Sequence, residues 1–209
     1  MKNIPNDNIN TFFNNNLLVD SRTIYIGMPD AASAESGDHN VSFYTASEVI
    51  KSVHLLESVS YDDITVYLMT YGGSVDAGLA IYDILTQSKC EIVVKGIGAV
   101  MSMGAIILQA ASPGQRFLYP YTTVMLHCGE DGFSHGPPQN YYRWADYSKK
   151  QATRTYNLFA KHCGRDKSTS KADYWRKKLV HDWILTAEEA VEHNIADYVF
   201  DRSQPLSML

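Results

Sequence analysis

Runs suited to buried β-strands alternate along this chain with stretches of helical periodicity, and that alternation constrains the fold more than any other feature. "DITVYLMT" (Asp63–Thr70) is rich in β-branched and aromatic residues. "YGGS" breaks it, and "VDAGLAIYDILTQS" resumes with Leu79, Tyr82, Ile84 and Leu85 near helical spacing. "EIVVKGIGAV" reads as another strand, which runs into a buried helix beginning near Ser102. Upstream, "RTIYIG" reads as a short strand ended by glycine. In "SEVIKSVHLLESVS", Val49, Ile50, Val53, Leu56 and Val59 recur near helical spacing. "TTVMLH" is one more strand. Such an order calls for right-handed βαβ crossovers and a largely parallel sheet covered on both faces, an α/β fold.

A chain of 209 residues supplies one sizeable core. A single domain is therefore expected over residues 17–209, after an Asn-rich arm at residues 1–16 that lacks periodicity. Beyond His127, "CGEDGFSHGPPQ" is a Gly/Pro-rich connection, and "NYYRWADYSKKQATRTYNLFAKHCG" is a long helical pattern closed by a glycine. "LTAEEAVEHNIADYVF" places Thr186 as an N-cap with Glu189 three residues on, a capping box.

Composition narrows the partners. The formal net charge is -5 and no basic block stands out, so the chain lacks the phosphate-tracking charge of a nucleic-acid binder. Cys90, Cys128 and Cys163 form an odd set without CxxC spacing, which argues against a disulfide framework and a zinc knuckle and points to a reducing, cytoplasmic setting. Asparagines interrupt what would be the apolar core of a signal peptide. The apolar stretch from Gly96 to Ala111 is too short and too polar for a membrane span.

Ser102 is the one hydroxyl in "AVMSMGA". A buried hydroxyl without a partner costs roughly 1–3 kcal/mol, so this one needs either a local acceptor or a task. At a helix start, unpaired N–H groups and the positive end of the macrodipole favour developing negative charge, which suits a nucleophile. An ordinary N-cap serine is the commoner use of such a position. A base is available in His127, at the end of an apolar strand where α/β enzymes gather catalytic groups. The other six histidines lie in loops or on mixed polar faces and read as solvated. Asp182, in "VHDWIL" before the capped helix, can orient an imidazole or simply occupy a surface loop. Glycine N–H groups in "YGGS" can meet an oxyanion without a side chain in the way.

In this order these stretches resemble the proteolytic subunit of the ATP-dependent Clp protease, the ClpP family of serine peptidases. The likeness runs from "LLVDSRTIYIG" through "VYLMTYGGSVDAGLAIYDIL", "GIGAVMSMGAIILQAA" and "RFLYPYTTVMLH" to "DWILTAEEAVEHNIAD". It implies a crotonase-like fold of repeated ββα-type units with a largely parallel sheet, plus a long helix-and-strand handle at about residues 128–163. It also implies catalysis by Ser102, His127 and Asp182, an oxyanion hole from the amides of Gly73 and Met103, and no cofactor or metal. An extended peptide would lie beside the segment containing Ser74 and Val75.

By the same resemblance the chain would form stacked heptameric rings, enclose unfolded proteins or peptides as substrates, and receive them from an AAA+ unfoldase. Tyr67 falls where the family has an aromatic of the docking pocket. Two departures carry consequences. Tyr71 stands in place of a proline before the glycines, which implies a less constrained approach to the oxyanion loop. The chain is also longer than the family around "CGRDKSTSKADYWRKKLV". Three alternatives compete with this reading: a viral ClpP-like protease that processes capsid proteins, a non-catalytic ring subunit, and a crotonase-type acyl-CoA enzyme.

Overall fold

The computed structural model describes residues 12–27, 40–129 and 137–201. Its centre is one eight-stranded sheet: β1 (Leu17–Leu18), β2 (Thr23–Ile26), β3 (Ile64–Thr70), β4 (Ile92–Met101), β5 (Arg116–Leu118), β6 (Thr123–Leu126), β7 (Trp183–Leu185) and β8 (Tyr198–Val199). The main path runs β1-β2-β3-β4-β5-β8, and β6 pairs with β4 and β7 off that path. All pairings are parallel except β1 with β2 and β6 with β7. The expected α/β architecture and mostly parallel sheet are thus present.

Strand β4 serves two neighbours in turn. Val94–Gly96 lies beside β5, and Ala99–Met101 lies beside β6. Between these halves its register against β3 shifts, from Leu68↔Gly96 to Thr70↔Val100. Gly98, at φ +68°, lies in the extra length, where a residue without a Cβ lets a strand bulge and change direction. The bulge turns the end of β4 away from β5 and delivers its last residue, Met101, to β6.

The helices cover this sheet in the way their patterns dictate. Along β3 Ile64, Val66, Leu68 and Thr70 are buried, alternating with half-buried residues. A fully buried Leu or Ile contributes about 1.5–3 kcal/mol. Helix α1 (Phe43–Val59) is capped by the Ser42 side chain, which accepts from the Thr45 amide, and buries Ala46, Val49, Val53 and Leu56. Its apolar stripe ends there, because Val59 is exposed. At its C-terminus, where carbonyls lack intrahelical partners, the Arg22 guanidinium donates to the Leu56 and Ser60 carbonyls. Helix α2 (Val75–Gln87) buries Ala77, Gly78, Ile81 and Leu85. All six residues of the short α3 (Met103–Leu108) are buried.

The long helix α4 (Pro138–Cys163) is present over the expected pattern, and α5 (Ala172–Lys178) and α6 (Ala187–Glu192) follow it. The Thr186–Glu189 capping box forms in full. Of the expected handle, residues 130–136 lie outside the described residues. So do residues 1–11 of the expected arm; the Phe12 ring meets Tyr25 edge-on at 5.2 Å, and Asn15 donates to Glu48.

One expectation holds for a different reason, and one needs correction. Gly164 closes α4 as expected, but at φ −70°, so no left-handed turn requires glycine there. A Cβ at this position would approach the Ala160 carbonyl oxygen and Ser170 Oγ to 2.5 Å, and crowding is the reason for the glycine. His162 is not solvated. It is half-buried against Tyr82, whose hydroxyl is 2.7 Å from its Nε2.

A buried polar network joins α3, β5, α4 and the segment before β8. Arg116 donates to both carboxylate oxygens of Asp197, at 3.0 and 2.6 Å. It also donates to Gln109 Oε1 at 2.7 Å and the Asn194 carbonyl at 2.9 Å. Gln109 in turn donates to the carbonyls of Ala105 and Ile195. Each buried polar group is thereby satisfied, which is the condition under which such a network stabilises a fold.

Candidate active site

Strand β6 is the element that assembles the site, because it lies between β4 and β7. On one side Met101 pairs with Met125, and the Ser102 amide donates to the Met125 carbonyl at 2.8 Å. On the other side the antiparallel ladder Val124↔Leu185, Met125↔Ile184, Leu126↔Trp183 leads outward to His127 opposite Asp182. Residues opposite each other on such a ladder share a face, at about 4.5–5.5 Å between Cβ atoms. Register alone therefore brings an imidazole beside a carboxylate 55 positions away in the chain.

Ser102 joins β4 to α3 with φ +53° and ψ −117°. For a residue with a Cβ this is sparsely populated backbone, costing on the order of 1–3 kcal/mol. The conformation aims the side chain away from the helix. Ser102 Oγ makes no capping hydrogen bond. It lies 2.6 Å from His127 Nε2 instead. This geometry separates the two uses open to Ser102 in the sequence, since a capping serine would bond the first-turn amides. His127 is mostly shielded, its side chain 17% exposed, and its Nδ1 is 3.6 Å from Asp182 Oδ1. Asp182 itself is 61% exposed. The serine and histidine are thus within hydrogen-bond reach, and the aspartate is in ion-pair range just beyond it.

The glycines approach from β3. Gly72 sits at φ +112°, and a Cβ there would come within 2.5 Å of Ser102 Cβ. Gly73, at φ +145°, forms a parallel bridge with Val41. In that bridge Val41 donates to the Gly72 carbonyl, and Ser74 donates to the Val41 carbonyl. The bridge therefore leaves the Gly73 N–H pointing to the opposite side. Ser74 Oγ caps α2 by accepting from the Ala77 amide, and Val75 is 38% exposed.

Tyr71 was expected to leave this approach less constrained, yet the turn has another brace. The buried Thr70 hydroxyl accepts from the Gly72 amide at 3.1 Å and donates to the Gly72 carbonyl at 3.3 Å. The Tyr71 side chain itself is exposed. Met103 is buried, packed where Gly78 of α2 leaves room. Its amide opens α3, one of the first-turn N–H groups without an intrahelical acceptor.

Cys128 follows His127 but is exposed; its Sγ is 3.7 Å from the Gly129 carbonyl oxygen, and it also interacts with Tyr156. Among the described residues no cluster of three or more His, Cys, Asp or Glu could hold a metal ion, and no helix is long and apolar enough to cross a membrane.

A parallel-sheet α/β protein that presents a strained serine to a shielded imidazole at the start of a buried helix has the form of a serine hydrolase. Comparison with known proteins specifies which kind. The Clp protease family model matches residues 36–203. The chain is 34% identical over 146 residues to ATP-dependent Clp protease proteolytic subunit 2 of Corynebacterium diphtheriae, covering 69% of this chain and 70% of that one. It is 30% identical over 187 residues to proteolytic subunit 1 of Rhodococcus jostii, covering 89% and 78%. Proteolytic subunit 3 of Nocardia farcinica is similar to the same degree, 30% over 188 residues. The chain belongs to the Clp protease family, as a divergent member, and is a serine-type peptidase.

Proposed function

We propose that the protein cleaves peptide bonds through Ser102, His127 and Asp182. Ser102 Oγ attacks the substrate carbonyl carbon while His127 Nε2 takes its proton. The amides of Gly73 and Met103 receive the negative charge that develops on the carbonyl oxygen. The protonated imidazole then gives its proton to the leaving amine, and an ester between Ser102 and the acyl fragment remains. Water, deprotonated by His127, attacks that ester and releases the second product. Asp182 holds the imidazole in the tautomer with Nδ1 protonated.

The observation that carries this reading is the 2.6 Å separation of Ser102 Oγ and His127 Nε2 in a serine that makes no cap. The same pairing weighs against a non-catalytic ring subunit, which has no use for it. Substrates would be unfolded proteins or peptides, bound as an extended strand beside Gly73 and Val75 and recognised mainly through their backbone. We further infer that the active form is a ring assembly of this chain, with an AAA+ unfoldase as its feeding partner. In support of such a docking face, Tyr25 and Tyr67 stack at 5.3 Å with Lys95 over the Tyr67 ring.

Labelling with a fluorophosphonate probe tests the chemistry. Wild type should be modified at Ser102, and Ser102→Ala should not be modified at all. Absence of labelling in the wild type, or equal labelling in the variant, would refute the assignment. The mass of the native protein by size-exclusion light scattering tests the ring, and a monomer at working concentration would exclude it.

A further inference from the structure

Asp182 carries an orienting role without the hydrogen bonds that normally fix an orienting acid. Among the described residues no hydrogen bond reaches its carboxylate, more than half of it is exposed, and its one ionic contact is the 3.6 Å approach to His127. Its direction must therefore come from the backbone, and the backbone there is held by the next residue. Trp183 forms the outermost pair of the β6–β7 ladder, opposite Leu126. Neighbours on a strand face opposite sides, so an indole anchored on one side fixes where residue 182 points on the other.

That indole is held from three directions. Lys178 Nζ stands 4.0 Å above the Trp183 ring, a close cation–π contact. The His193 ring meets it at 4.8 Å in an edge-on arrangement. Trp175 packs at 6.3 Å. Trp175 is itself anchored: it is 1% exposed, stacked on Phe159 at 5.4 Å, and its Nε1 donates to the Thr169 carbonyl at 2.7 Å. Lys178, Trp175 and Thr169 all come from "CGRDKSTSKADYWRKKLV", the stretch in which this chain is longer than expected.

We infer that Trp183 is a positioning residue for the reaction, clamped by Lys178, Trp175 and His193 so that the last rung of the β6–β7 ladder aims the Asp182 carboxylate at His127. The inference rests on the Ser102–His127–Asp182 reading above. A one-residue slip at this rung would turn the carboxylate to the other face of the sheet.

The test measures acylation of the full-length protein by the fluorophosphonate probe, resolved into maximal rate and half-saturating concentration. Trp183→Ala should lower the maximal rate roughly tenfold, a coupling typical of residues in contact, and leave the half-saturating concentration unchanged. Trp183→Phe, which keeps a ring for the clamp, should restore most of the rate. In the background of Asp182→Asn, Trp183→Ala should cost nothing further. Should Trp183→Ala fail to fold by circular dichroism, Trp183→Leu carries the same comparison. An unchanged rate, a loss confined to half-saturation, no rescue by Phe, or full additivity with Asp182→Asn would overturn the positioning role while the triad stands. A wild-type rate in Asp182→Asn, or an unlabelled Ser102, would overturn the triad reading and this inference with it.

Discussion

Leu126 and Trp183 face each other across the final rung of an antiparallel ladder, and the chain on each side passes directly into His127 and Asp182. Those two side chains are 3.6 Å apart, and Asp182 is largely in water. A carboxylate so placed is screened more than a buried one. Asp182→Asn should therefore reduce acylation of Ser102 by roughly 10²-fold, short of the ~10⁴-fold loss seen where a buried acid orients the histidine. Probe kinetics on the two proteins, with folding checked by circular dichroism, give the comparison.

Gly72 lies against the Ser102 side chain. Gly72→Ala introduces a Cβ 2.5 Å from Ser102 Cβ at φ +112°. Both the contact and the dihedral resist a side chain, so Ser102 or the turn must shift. The expected result is loss of probe labelling together with destabilisation of about 2 kcal/mol or more in urea denaturation.

Arg116 and Asp197 form an ion pair whose side chains are 9% and 15% exposed. Arg116→Met leaves Asp197 as an uncompensated, mostly buried charge and should cost roughly 3–5 kcal/mol. Adding Asp197→Leu to it should recover a large part of that loss, since an apolar pair no longer strands a charge. Urea midpoints of the single and double variants test the expectation.

His162 predicts how the fold responds to acid. Burial, and then the charges of Lys161 and Arg116, hold its pKa down at about 4 against an ordinary value of 6.5. The unfolded chain takes up this proton near pH 6.5, and the folded chain only near pH 4. Between those values the unfolded state binds more protons, so this contribution is complete above pH 6.5 and is lost progressively on acidification towards pH 4. Urea midpoints at pH 7, 5.5 and 4.5 should fall for the wild type and fall less for His162→Gln.

Long, strongly patterned elements were legible in the sequence. β3, β4, α1, α2 and α4 follow from runs of apolar residues at period two or near four, and the Thr186–Glu189 box from two residues three apart. Ser102, His127 and Asp182 stand out as residues, but what juxtaposes them is strand register, which no local pattern encodes. β5, β7 and β8 are two or three residues long, too short for periodicity to distinguish them from loop. The Arg116–Asp197 pair spans 81 positions. An arginine opening the apolar "RFL" was its one local trace. His162 reads as solvated from the sequence because Tyr82, the partner that receives it, lies on another helix and 80 positions away.

The Ser102 amide, in a residue of unfavourable backbone conformation, is bonded to the Met125 carbonyl on β6, and β6 leads directly into His127. Peeling that strand away relaxes the serine backbone and withdraws the imidazole in one movement. On the proposed chemistry, damage at this edge of the sheet therefore disables nucleophile and base together and yields an inert molecule.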